Sequence, residues 1–145
     1  MLRTLLVTLS LAGPSFAQDV AECDWQARAD AIAEPWEENT RTFANGDVRL
    51  ALLDTIEPAA AAYHILVLSP PYDELGTRQC RTVGLDGAGF SGIGFESLLA
   101  DYDPEIGLIF GLRVQYLDGA TSDFVKGDLV FTLNQATGDI EAFLE

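Results

Sequence analysis

Positive charge is scarce in this chain. Its 145 residues carry 8 Lys+Arg against 23 Asp+Glu, a formal charge of -15, and Lys126 is the sole lysine. Phosphate backbones are held by clustered Lys and Arg, so the composition argues against a nucleic-acid partner. Histidine is scarcer still, with His64 alone. One His and two Cys leave a zinc site short of its usual ligands. The two cysteines, Cys23 and Cys80, form no CxxC pair, which removes the simplest redox motif. Long hydrophobic runs are missing beyond the first residues. Ile65-Leu66-Val67-Leu68 is strand-sized, whereas a membrane-spanning helix needs about 20 apolar residues. Repeats, low-complexity tracts and linkers are absent as well.

What is present suits one globular domain. Apolar residues make up 48% of the chain and charged residues 21%, far from the composition of a disordered acidic tail. Residues 1–17 read as a signal peptide. Arg3 supplies the positive start, Leu5 to Ala12 the apolar core, and Ser15-Phe16-Ala17 the small residues of a cleavage site. Removing them takes away one cation and no acid, which leaves 128 residues with a charge of -16. The location expected is periplasmic or secreted. Lipidation at Cys23 is disfavoured, because Glu22 stands where a small residue is required and Cys23 lies well past the apolar core. An even cysteine count in an exported chain predicts one disulfide, Cys23–Cys80, adding roughly 4 kcal/mol in the chain-entropy model.

Residues 18–40 read as an N-terminal arm with one short helix. Asp24 caps it, Trp25, Ala29 and Ile32 share a face, and Pro35 stops it. Trp25 and Trp36 are expected as core or covering residues. Residues 41–145 read as an antiparallel β domain. Asn45-Gly46 predicts a two-residue hairpin between Arg41-Ala44 and Asp47-Asp54. Tyr63-Ser69 is apolar on both faces, as in a central strand, and Pro70-Pro71 ends it. Gln79-Leu85 follows, then a short Ile93-Phe95 and a turn at Tyr102-Asp103-Pro104. Leu108, Phe110, Leu112, Val114 and Tyr116 alternate in the clearest strand. Leu129-Leu133 and Ile140-Leu144 complete the domain. The fold class is mainly β, an antiparallel sandwich or small barrel of about seven or eight strands.

The candidate chemistry is thin. Gly87-Ala88-Gly89-Phe90-Ser91-Gly92 spells GxGxxG, but no helix start follows, so the glycines read as a turn or bulge. Ser91 lies in a near match to GxSxG that lacks the last glycine. A small hydrolase would need Ser91 to meet His64 and Asp54, and His64 in an apolar strand reads better as a packed, hydrogen-bonded side chain. Glu34, Glu37 and Glu38 around Trp36 suggest a carboxylate pair, although 23 acids make accidental pairs common. Asp101, Asp103 and Glu105 copy the first spacings of a calcium loop. The pattern then fails at Ile106 and Leu112, so a looser Ca2+ site is the metal alternative. No other cofactor is implied.

Through Arg41-Thr42-Phe43-Ala44-Asn45-Gly46, Ala51-Leu52-Leu53-Asp54-Thr55, Leu66-Val67-Leu68-Ser69-Pro70-Pro71 and Arg78-Gln79-Cys80-Arg81, the chain resembles small exported proteins of alphaproteobacteria. The resemblance implies a Gram-negative periplasm and brings no functional residue with it. The first functional expectation is a non-catalytic binding or interaction domain for a cationic protein partner. The alternatives are the hydrolase and a Ca2+-stabilised domain.

Overall fold

The computed structural model describes residues 19–145. The leader assigned to residues 1–17 lies outside them. Among the described residues nine strands form two antiparallel sheets stacked as a sandwich, not a closed barrel. One sheet has five strands in the order β1 (Asp19–Glu22), β5 (Arg78–Gly84), β4 (Tyr63–Tyr72), β3 (Val48–Asp54), β2 (Thr40–Phe43). The other has four in sequence order, β6 (Gly92–Asp103), β7 (Gly107–Leu117), β8 (Phe124–Leu133) and β9 (Ile140–Leu144).

Period-2 alternation builds the core between them. From the five-stranded sheet, Leu50, Ile65, Val67 and Val83 point inward. From the four-stranded sheet, Phe110, Leu129, Phe131 and Leu133 meet them, all fully buried. Phe110 sits at the centre, its ring 4.9 Å from that of Phe43 and 5.0 Å from that of Phe131.

The arm departs from the expected helix. No helix starts at Asp24. The segment holds β1, a 3-10 turn at Ala29–Ala31 and a four-residue helix α1 (Trp36–Asn39). Pro35 precedes that helix rather than ending one. The cause is tertiary. A helix of some ten residues is marginal alone, whereas here the backbone finds partners on the sheet. Asp19–Glu22 pairs with Arg81–Gly84, Ile32 bridges Leu53, and the Ala33 N–H donates to Leu52 O at 2.9 Å. Ala31 then packs with Ala51, Leu53 and Leu66 on the outer face of the five-stranded sheet. The Cys23–Cys80 disulfide pins this cover, with a Cα–Cα distance of 5.4 Å. Trp25 and Trp36 are about half exposed and are not core residues.

Three other strand boundaries move for local reasons. The hairpin at Asn45-Gly46 forms, but Phe43 pairs with Val48, so its loop has four residues, Ala44 to Asp47. Ala44, Asn45 and Gly46 all take positive φ there. β4 continues past Pro70-Pro71 to Tyr72 through a bulge, the usual way for a strand to absorb residues without an N–H. β6 is far longer than Ile93-Phe95, because a register shift between Gly94 and Leu99 puts Phe95 and Leu98, three apart, both in the core. That spacing hides the strand from a period-2 reading.

Candidate functional site

A cleft of about 650 Å3 opens where the arm, β3 and the start of β6 meet. Each wall comes from a different device. The 3-10 turn brings Asp30, and the arm backbone tied to Leu52 and Leu53 brings Ile32 and Glu34. Asp54 and Ile56 come from the end of β3, and Tyr63 from the start of β4. Ser91 and Ile93 come from the crossing into β6, where Tyr63 bridges Phe90 and the Ser91 N–H donates to Gln115 O at 2.8 Å.

Its polar groups are mostly acidic. Asp30, Glu34 and Asp54 line it, with no Lys, Arg or His among the lining residues. Asp30 pairs with Arg28 at 3.2 Å, between two exposed side chains. Asp54 Oδ1 accepts the Ile56 N–H at 2.8 Å, and Ile56 holds φ 69 with its side chain 73% exposed. A β-branched residue in the left-handed region is a backbone outlier, here at the cleft rim. The Ser91 hydroxyl is buried and has no hydrogen-bond partner.

His64 is placed elsewhere. It lies on the outer face of the five-stranded sheet, opposite Leu53, under the turn that follows β5. That turn is a two-residue Asp86-Gly87 hairpin, both residues at positive φ, closed by Leu85 and Ala88. The Gly87 N–H also donates to the Asp19 carboxylate, which ties the turn to β1. The chain between β5 and β6 therefore crosses over the imidazole. A Cβ at Gly89 would lie 2.8 Å from His64 Cε1 and 2.5 Å from the carbonyls of Ala61 and Tyr63. The GxGxxG letters thus encode a turn at Gly87, a close approach at Gly89 and a strand start at Gly92. Asp54 and Ser91 share the cleft, and His64 is not among its lining residues.

His64 is packed as expected, 3% exposed, and its Nδ1 has no hydrogen-bond partner. Desolvation lowers its pKa from 6.5, against an opposing pull from the backbone at Ala62 and Ala88. The unfolded chain therefore binds the proton first. Stability is expected to be full above about pH 6.5 and to fall as pH drops through that value, by up to about 1.4 kcal/mol per pH unit. Denaturation series between pH 7.5 and pH 5, run on the protein and on His64→Gln, check this (the span stays above carboxylate titration, about pH 4). The variant should lose that slope, and an unchanged slope would assign it to other groups.

The acidic turn does not gather three side-chain ligands. Asp103 Oδ1 accepts the Glu105 N–H and Asp101 Oδ1 the Tyr102 N–H, each at 2.8 Å, as ordinary turn contacts. Among the described residues no three His, Cys, Asp or Glu side chains converge to hold an ion. The turn joins β6 to β7, and Asp101, Asp103 and Glu105 remain separate there.

Asp30 and Ile56 were not legible as site residues, since nothing in their sequence neighbourhood signals a cleft. Glu34 and Asp54 belong to separate sequence patterns, and the structure brings them to one cleft. Among the described residues no helix is long and apolar enough to cross a membrane. Comparison with family models, curated proteins and solved structures found no match.

Proposed function

We propose that the protein is an exported, non-catalytic binding domain whose cleft receives a cationic group of a protein partner in the periplasm. The observation that carries this reading is the lining of the cleft, with Asp30, Glu34 and Asp54 and no basic residue or histidine. A hydrolase built on Ser91 would need a base beside that hydroxyl, and no histidine lines the cleft. A cation-binding cleft needs what is there: carboxylates, a tyrosine and an asparagine around an apolar floor at Leu52 and Ile93. The net charge of -15 adds long-range attraction for such a partner. The disulfide and the leader-like first residues support an oxidising compartment outside the cytoplasm.

A lysine-rich peptide titrated into the oxidised protein tests the reading. Binding is expected at low ionic strength, and is weakened as the screening length falls from about 10 Å at 0.1 M salt to about 3 Å at 1 M. Glu34→Gln with Asp54→Asn should weaken it by about tenfold, a loss of roughly 1.4 kcal/mol. Asn at position 54 keeps an acceptor for Ile56, so the loop is retained. Binding unchanged in the double variant, or absent at low salt, would contradict the proposal.

A further inference from the structure

The two sheets differ in one respect. The arm covers the outer face of the five-stranded sheet, whereas the outer face of the four-stranded sheet stays open, with Leu99 75% exposed and Phe124 57% exposed. The strand register orders that open face into ranks across the sheet. Leu99 pairs with Gly111, Gly111 with Val130, and Val130 with Phe143, so one apolar rank crosses all four strands. A depression of about 410 Å3 opens over Gly111. A Cβ at Gly111 would meet nothing within 4 Å, so the fold itself leaves the hole empty. Two residues along the strands, Arg113 pairs with Asp128, and both are exposed. At the end of the pair, Leu117 faces Phe124.

We propose that this face is the interface of a homodimer, with the two-fold axis running along the strands between β7 and β8. Such an axis lays β7 of one copy over β8 of the other. Val130 then enters the hole over the partner's Gly111, and Leu99 meets the partner's Phe143. Leu117 meets the partner's Phe124, and Arg113 meets the partner's Asp128. Every one of these contacts occurs twice, as an isologous interface requires. The ranks are therefore complementary to themselves, in charge as well as in shape. The axis also sets Asp101 against the partner's Glu141, but at the margins. Both carboxylates are exposed on the edge strands, and salt screens their repulsion.

The size is sufficient. Four strands about 4.8 Å apart and nine residues at about 3.4 Å each give a footprint of about 500 Å2 per copy. The pair therefore covers about 1,000 Å2, where specific interfaces begin. A second copy carries the same net charge, and that repulsion is screened over about 8 Å at physiological salt.

Sedimentation equilibrium of the oxidised protein at physiological salt tests the proposal. A dimer is expected by about 100 µM, as a modest interface implies. Gly111→Val fills the hole, and its Cβ would meet nothing within 4 Å in its own chain. It should therefore weaken the dimer at least ~10-fold while leaving the melting temperature unlowered. Arg113→Asp and Asp128→Arg should each weaken association alone, and a one-to-one mixture of the two should restore it. A fold defect would not be repaired by mixing. A wild-type monomer throughout that range would overturn the proposal, even if the face captured another protein. A dimer that survives both Gly111→Val and Arg113→Asp would overturn it too.

Discussion

Phe110→Ala is expected to destabilise the protein by about 3–5 kcal/mol, the usual cost of emptying a large aromatic site in a core. Phe110 is fully buried, meets Phe43 of the opposite sheet and packs beside its strand partner Phe131. Its removal leaves a cavity between two sheets that cannot collapse without shearing their strands. Phe110→Leu should cost less, because most of the volume remains. Trp25→Ala should cost under about 1 kcal/mol, since Trp25 is 53% exposed on the arm. Urea denaturation of the three variants measures this, with a shifted midpoint and an unchanged slope for Phe110→Ala. Equal costs at Phe110 and Trp25 would mean that the layers are assigned wrongly.

The second large effect is the disulfide. Cys23 and Cys80 are 57 residues apart, and closing a loop of that length contributes about 4 kcal/mol through the unfolded chain. The double variant Cys23→Ala, Cys80→Ala should therefore melt at least ~10 °C lower. The loss should also be felt locally. The bond fixes the cover in which Ala31 packs on Ala51, Leu53 and Leu66. Without it, the Ala33 amide, bonded to Leu52 O, should exchange with solvent faster than core amides such as that of Phe131. A melting temperature within about 2 °C of the parent would contradict the stapling role. Fast exchange at Phe131 together with Ala33 would mean that the arm and the sandwich open as one unit.

The β class was legible because alternation is a local signal. Leu108 to Tyr116 alternates without a break, and the strand lies where the letters put it. The disulfide was legible from an even cysteine count behind a leader-like start. The arm was not. Trp25, Ala29 and Ile32 have helical spacing, but the competing partners, Arg81 to Gly84 and Leu52, lie far along the chain and leave no trace nearby. β6 was obscured by its own register shift. The Asp86-Gly87 turn carried a recognised hairpin signal, hidden among neighbouring glycines whose letters suggested something else. The cleft was the least legible part. Its acids come from two segments, the arm and the end of β3, and only the arm's path over β3 brings Glu34 to Asp54. Sequence spacing carries no information about such a meeting.

The cleft is the centre of the functional account, and a protein with 23 acids sets it a demanding test, because a cationic probe has many places to settle. Backbone amide chemical shifts, followed while a lysine-rich peptide is added, tell the cases apart. The account predicts shifts concentrated at Ala31 to Glu34, Asp54 to Ile56 and Ser91 to Ile93, saturating together. Small shifts spread evenly over the acidic surface, with those three segments unmoved, would contradict it.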